Sequence, residues 1–334
     1  MTRARLTELL DRASGQRLAV VGDAMLDVYL VGDVERISPE APVPVVRVRE
    51  RRFALGGAAN VAQNVGAIGA RCLLVGAVGN DAGGATLRTM LDRMSVEVDH
   101  LVETDRPTTT KTRVVARSQQ LLRVDEEEDA DFSAAEIDRM LEAVHSAIMK
   151  SDALILEDYN KGVLVAGVIT QAIAWARERE IPIVVDPKYR NFFAYRGATV
   201  FKPNRRELEA ALGAAINLDD AGALPEVFKR LGVEHLLLTL GERGMALLSP
   251  DGSVVRIPTM AREVYDVVGA GDTVTAYLGA TLAAGASARE AAVIANFAAG
   301  IEVAKLGAAT VTPEEVVASY DDFVERQNRD AKRG

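Results

Sequence analysis

Six short apolar runs constrain this chain more than any other feature: Leu18–Val21, Cys72–Val78, Ala153–Leu156, Ile183–Val185, Thr199–Phe201 and His235–Thr239. Most are near-continuous rather than alternating, which is how a strand reads when both of its faces are buried in a parallel sheet. Helical patterns separate them, at Ala58–Ile68, Gly83–Met94, Ala134–Met149, Val165–Arg179, Arg206–Leu212 and Pro225–Leu231. Strand and helix taking turns in this way predict an α/β sandwich. An amphipathic helix opens the chain (MTRARLTELLDRASGQ), and two helices, Asp272–Ala284 and Ala288–Leu306, are expected to close it before a polar, frayed tail, QNRDAKRG.

Two segments break the rhythm. Asp33–Arg52 and Pro107–Asp125 alternate polar and apolar residues and are rich in Val, Thr and Arg, as strands with one solvated face are. They predict a small second sheet, a β lid of residues 33–52 and 107–125, over an α/β core of 1–32, 53–106 and 126–334. The lid could also serve as a dimer surface.

A formal net charge of -9 argues against a nucleic-acid or anionic-membrane partner, although local basic groups can still hold a phosphorylated ligand. The single cysteine, Cys72, cannot form an internal disulfide, which favours the reducing cytoplasm. No apolar run reaches the roughly 18 residues of a membrane span, and the N-terminus has no apolar signal core.

Absent motifs prune the chemistry. Gly-Lys occurs nowhere, so there is no Walker A loop, and H-E-x-x-H, C-x-x-C and G-x-S-x-G are missing too. The first strand leads into GDAMLD rather than a G-x-G-x-x-G turn, which disfavours an NAD-dependent oxidoreductase. His100, His145 and His235 lack ligand spacing and read as structural.

DVVGAGDTVTA, residues 266–276, carries the strongest local signal. Its glycines allow the N–H groups of Gly269, Ala270 and Gly271 to point into one concavity at a helix start, a place suited to a transferring phosphoryl group. Asp272 at the edge of that concavity is either a proton acceptor or a first-turn cap. Far upstream, GGAANVAQNVGAIGA (56–70) places Gly56 and Gly57 at another helix start and offers Asn60 to a polyol, or is simply a structural turn. Lys188, after a strand end, could reach a phosphate. Lys111 and Arg113 lie two apart and so share one face of a strand. With Arg123 and Lys161 they are the candidates for holding an anionic group, arginine bidentately and lysine as a point charge.

Together, in this order and at this separation, the two glycine motifs resemble the paired signatures of the ribokinase-like (PfkB) carbohydrate kinases. The resemblance extends over nearly the whole chain, through KPNRRELEAALG (202–213) and LLLTLGERGMAL (236–247). It implies a three-layer sandwich with a mostly parallel central sheet and a small β-sheet lid. It also implies ATP as donor, Asp272 as catalytic base, and Gly269, Ala270 and Gly271 as anion hole. Asn204 and Glu207 match the family's N-x-x-E pair, which organises Mg2+ and phosphate through water; read without the resemblance, they are an N-cap asparagine and a first-turn glutamate. Thr239, Gly241 and Gly244 fall where the family approaches nucleotide; Asp23, Gly57 and Asn60 fall where it holds sugar. Asp27 carries a carboxylate suited to a pair of hydroxyls, or else faces solvent or caps a turn. ISPEAPVPVV, LEDYNKGVL and VVDPKYRNFFAYRGATVFKPNRRE resemble the members that act on heptose 7-phosphate, in their free-standing form. The family's habit adds a homodimer through the lid strands. Val267 stands where many members have threonine, which leaves a monovalent cation open but unsupported. A kinase for another sugar, or a sugar-binding or nucleotide-binding regulator on the same scaffold, are the alternatives.

Overall fold

The structure, a computed structural model, describes residues 1–331 apart from positions 95, 118, 129, 220, 221 and 223. Its main sheet has ten strands. From one edge they run Val254–Ile257, Met245–Leu248, His235–Thr239, Val200–Phe201, Ile183–Asp186, Ala153–Glu157, Arg17–Gly22, Arg71–Gly79 and Val96–Glu97, with Leu101–Thr104 also paired to Arg71–Gly79. All pairs are parallel except those made by the hairpin of Met245–Leu248 and Val254–Ile257 at one edge. Val20 sits at the centre, opposite Leu74 on one side and Ile155 on the other.

Because side chains alternate across a strand, each central strand feeds two cores. Leu18, Val20, Ile155 and Val184 pack against helices Arg3–Ala13, Ala58–Ala67, Ala270–Ala283, Ala288–Glu302 and Pro313–Ala331. Ala19, Val21, Leu154, Leu156 and Val185 pack against Ala134–Ile148, Ala166–Glu178, Arg205–Leu212 and Leu224–Leu231. The result is the three-layer sandwich expected. Each large aliphatic side chain buried in these layers stabilises the fold by about 1.5–3 kcal/mol. Capping boxes start several helices, with Ser133 and Glu136 before one and Ser287 and Glu290 before another.

The expectation that two helices close the chain is corrected by a third, Pro313–Ala331, which absorbs the start of the polar tail. Tyr320 Oη donates to the Met1 carbonyl at 2.7 Å, and Arg3 Nε to Asp321 at 2.8 Å, so the first and last helices lie together.

A separate four-stranded sheet has the order Pro44–Gly57, Ala24–Ile37, Thr110–Ala116, Gln119–Glu126. Two antiparallel hairpins are joined here by a parallel pair, Ala24–Ile37 beside Thr110–Ala116. Its first two strands are longer than the alternating pattern suggests. They begin directly after Asp23 and end at Gly57, where helix Ala58–Ala67 begins. Ala24, Met25, Leu26, Val28 and Leu55 are all buried, so this half of the lid lacks the alternation that marks the rest.

Candidate active site

Acids gather at the carboxyl ends of the parallel strands, where ligands bind in open α/β sheets. Glu157 ends strand Ala153–Glu157 and Asp186 ends the neighbouring Ile183–Asp186, in direct register. Asp272 reaches them from the first turn of helix Ala270–Ala283. All three are buried, and one carboxylate oxygen from each lies within 4.8 Å of the others. Lys202 Nζ donates to Asp186 Oδ2 at 2.7 Å and offsets one of these charges. Neither oxygen of Glu157 has a hydrogen-bond partner among the described residues, and burial, then the charges of Asp186 and Asp272, push its carboxyl well above the ordinary range.

Asp272 is held from two sides. Asn60 Nδ2 donates to Oδ2 at 2.6 Å, and Tyr159 Oη donates to Oδ1 at 3.2 Å. Burial first, then the charge of Asp186, raises the Asp272 carboxyl to about 6, against the lowering effect of Asn60 and Lys202. Asn60 is in turn held by its own helix and its neighbour. Asn64 Nδ2 donates to the Asn60 backbone carbonyl at 2.9 Å and approaches Asn60 Oδ1 at 3.4 Å, while Thr273 Oγ1 donates to Asn64 Oδ1 at 3.2 Å. An ionised carboxylate only accepts, so Asp272 fixes which way the Asn60 amide points. The chain Thr273, Asn64, Asn60, Asp272 follows from that. Asn60, expected on a sugar hydroxyl, thus serves the carboxylate directly.

Gly269 precedes this helix with φ 96°, in the region that favours glycine, and no side chain caps the first turn. Among the described residues no side chain competes there, so amides beside the Asp272 carboxylate can meet an anion, although that of Ala270 makes a long 3.5 Å bond to the Val267 carbonyl. Ala270 and Gly271 also line a cavity of about 580 Å³, together with Asn204, Thr239, Gly241 and Gly244. Four residues expected near nucleotide and two of the expected anion hole thus share one space. Glu207 and Lys188 stand outside its lining. Asn204 and Glu207 form a capping box, Asn204 Oδ1 accepting from the Glu207 amide at 2.9 Å and Glu207 Oε2 from the Asn204 amide at 2.8 Å. Lys188 Nζ donates to Glu207 Oε1 at 2.9 Å and lies 5.0 Å from the centre of the Tyr159 ring. Burial lowers the Lys188 pKa, but Asp186, Glu207 and Glu157 outweigh it and hold the ammonium charged.

Asp23 is buried and its carboxylate is engaged by backbone. Oδ2 accepts from the amides of Tyr159 at 2.8 Å and Lys161 at 3.0 Å, and Oδ1 from Val163 at 3.1 Å. It pins the 159–163 loop and so positions Tyr159. Gly57, φ 55°, lets the chain turn into helix Ala58–Ala67, and a Cβ there would collide with the Asp23 carbonyl. Lys111 and Arg113 do share a lid face, opposite Asp27 and Tyr29 on one neighbouring strand and Asp125 and Arg123 on the other. Each of the four expected cations has an acid. Arg113 pairs with Asp27 at 2.6 Å, Lys111 with Glu127 at 3.1 Å, Lys161 with Glu127 at 2.8 Å and Arg123 with Asp125 at 2.8 Å. The basic face is real but already charge-matched.

The model for pfkB family carbohydrate kinases matches residues 16–315. The chain belongs to that family. Among its relatives, the bifunctional protein HldE of Rhodospirillum rubrum is 46% identical over 317 residues, which are 94% of this chain and 64% of the relative. The kinase thus spans somewhat less than two thirds of that protein. Among solved structures, Escherichia coli phosphofructokinase-2 in complex with potassium superposes with TM-score 0.75 at 20% identity, over 93% of this chain and 99% of that one. Arabidopsis thaliana ribokinase complexed with ribose and ATP gives 0.71 at 21%, over 91% and 98%. These two share the fold of this sugar kinase.

Sequence reasoning missed Tyr159, Glu157, Asp186 and Lys202. The last three carried one usable signal: each is an ionisable residue at the carboxyl end of, or just beyond, an apolar run, in LILE, IVVD and VFK.

Proposed function

We propose that this kinase transfers the γ-phosphoryl group of ATP to the anomeric hydroxyl of D-glycero-β-D-manno-heptose 7-phosphate, giving the 1,7-bisphosphate, a step towards the ADP-heptose of lipopolysaccharide core. One observation carries the reaction type: a buried carboxylate, Asp272, held by two donors beside an uncapped helix N-terminus. Asp272 accepts the proton of the attacking hydroxyl, and the amides of Gly269, Ala270 and Gly271 take charge that develops on the transferring group. Asn204, Thr239, Gly241 and Gly244 support a nucleotide reading of the larger cavity, whose size suits a small-molecule ligand. The choice of acceptor rests on the resemblance of the 37–46, 156–164 and 184–207 segments to heptose 7-phosphate kinases. The lid cations Lys111, Arg113 and Arg123, with Lys161 of the 159–163 loop, support a phosphorylated sugar, and Asp23, Asp27, Gly57 and Asn60 are read as its further contacts.

A magnesium ion bound with ATP would supply neutralisation of phosphate charge. Asn204 and Glu207 fit it through water rather than directly, because their oxygens already serve the capping box and Lys188. The lid's second face exposes Phe53, Leu122 and Val124, which supports a homodimer through the lid strands. Light scattering at micromolar concentration tests it, and a monomer removes it. We take the compartment to be the cytoplasm, in keeping with Cys72 as a buried free thiol. No helix among the described residues is long and apolar enough to cross a membrane.

A coupled ADP-release assay over heptose 7-phosphate, fructose 6-phosphate, ribose and adenosine tests the whole reading. Turnover is expected with the heptose phosphate above the others. Turnover of only the unphosphorylated compounds overturns the acceptor, and tight binding without any turnover favours a regulator.

A further inference from the structure

Arg106 differs from the matched cations of the lid. Its guanidinium carbon stands 3.7 Å from the centre of the Phe132 ring. Both Nη atoms are buried, and neither has a hydrogen-bond partner among the described residues. The group lines a cavity of about 20 Å³ with Asp23, Thr104, Thr109, Glu128 and Lys161. That is room for one oxygen atom, on the scale of a single water.

A guanidinium stays charged in proteins and cannot shed its cost by losing a proton. Leaving its N–H groups buried and unpaired is unfavourable, so their arrangement calls for an acceptor that enters from outside. Asp23 does not fill that role, because its carboxylate is turned to the amides of Tyr159, Lys161 and Val163. The same loop relates the cavity to the reacting centre. Tyr159 gives its amide to Asp23 and its hydroxyl to Asp272, while Lys161, two residues on, lines the cavity. An acceptor molecule lying along this loop would have one end at Asp272 and the other at Arg106.

We propose that Arg106, stacked on Phe132, receives an oxygen of the phosphate carried by the acceptor sugar and so selects phosphorylated over free sugars. This rests on the reading above that the acceptor is a sugar phosphate. It adds the residue that recognises the phosphate, at the end of the site remote from the base. Lys161 lines the same cavity and keeps its own pair with Glu127.

The test compares kcat/KM for heptose 7-phosphate with that for the free heptose, in wild type, Arg106→Lys and Arg106→Met. Arg106→Met should lower this preference about 10- to 100-fold, the size of one charge-assisted hydrogen bond, mainly through KM for the phosphorylated sugar. Arg106→Lys should fall between. Methionine keeps the apolar stem on Phe132 and removes an unpaired charge, so the ligand-free variant should melt no lower than wild type. A preference that survives Arg106→Met overturns the Arg106 assignment alone, and so does a melting temperature that drops while the preference stays. A wild-type enzyme with no preference for the phosphorylated sugar overturns the proposed function and this proposal with it.

Discussion

Asn60 donates to Asp272 across 2.6 Å, joining the two glycine motifs through side chains 212 residues apart. The contact favours the ionised carboxylate, against the burial that raises its pKa to about 6. A general base works only when ionised, so turnover should fall as pH drops through about 6. Asn60→Ala removes the donor and should move the acid limb of the kcat profile to higher pH. A pH–rate series on the two proteins checks this, and coincident limbs would contradict it.

Thr273 acts on the same carboxylate at two removes, through Asn64 and Asn60. Thr273→Val keeps the shape and loses the hydroxyl, and should lower kcat about fivefold, the worth of one neutral hydrogen bond. Thr273→Ser should restore most of it. A loss shared equally by both variants, or confined to KM, would mean that the hydroxyl serves packing only.

Lys202 is the buried counter-charge of Asp186, among three close carboxylates. Lys202→Met strands those charges and should cost about 3–5 kcal/mol, as breaking a buried pair does. Denaturant melts of both proteins at neutral pH give the difference directly. A change below about 1 kcal/mol would show that the lysine is not what balances the cluster.

Asn204 has two duties that one substitution can separate. Asparagine and aspartate cap helices about equally, whereas loss of the cap costs about 1 kcal/mol. Asn204→Ala should therefore lower stability and raise KM for ATP. Asn204→Asp should keep stability while changing KM for ATP, because it adds a negative charge to the cavity proposed to hold the nucleotide. An unchanged KM in both variants would reduce Asn204 to a cap.

The layered fold was legible because the central strands are apolar on both faces and the helices between them are periodic. Lid strands were legible only where one face meets solvent; from Ala24 to Val28 both faces are covered, and the pattern merges with that of the core. The last helix carried its signal in Val316, Val317, Tyr320, Phe323 and Val324, at helical spacing, but the polar letters around them read as a tail. Asp272 could be singled out because glycines flank it. Tyr159 could not, and Glu157 and Asp186 left a trace only in their place at the end of an apolar run, since neighbours in sequence say nothing about what lies across the sheet. The pairing of Lys111, Arg113, Arg123 and Lys161 with acids was hidden for the same reason: Asp27 and Arg113 meet across neighbouring strands, 86 residues apart.

Asp272→Asn bears most directly on the account. Steady-state ADP release with heptose 7-phosphate should show kcat lower by roughly 10²–10⁴-fold with KM little changed. The same protein should also be more stable than wild type at pH 7.5. A carboxyl whose folded pKa is raised to about 6 stabilises fully below its unfolded pKa, and that contribution is lost as pH rises through the folded value. The neutral amide escapes this loss, so the gain should shrink towards pH 4. Near-normal kcat in Asp272→Asn would contradict the assignment of Asp272 as the base.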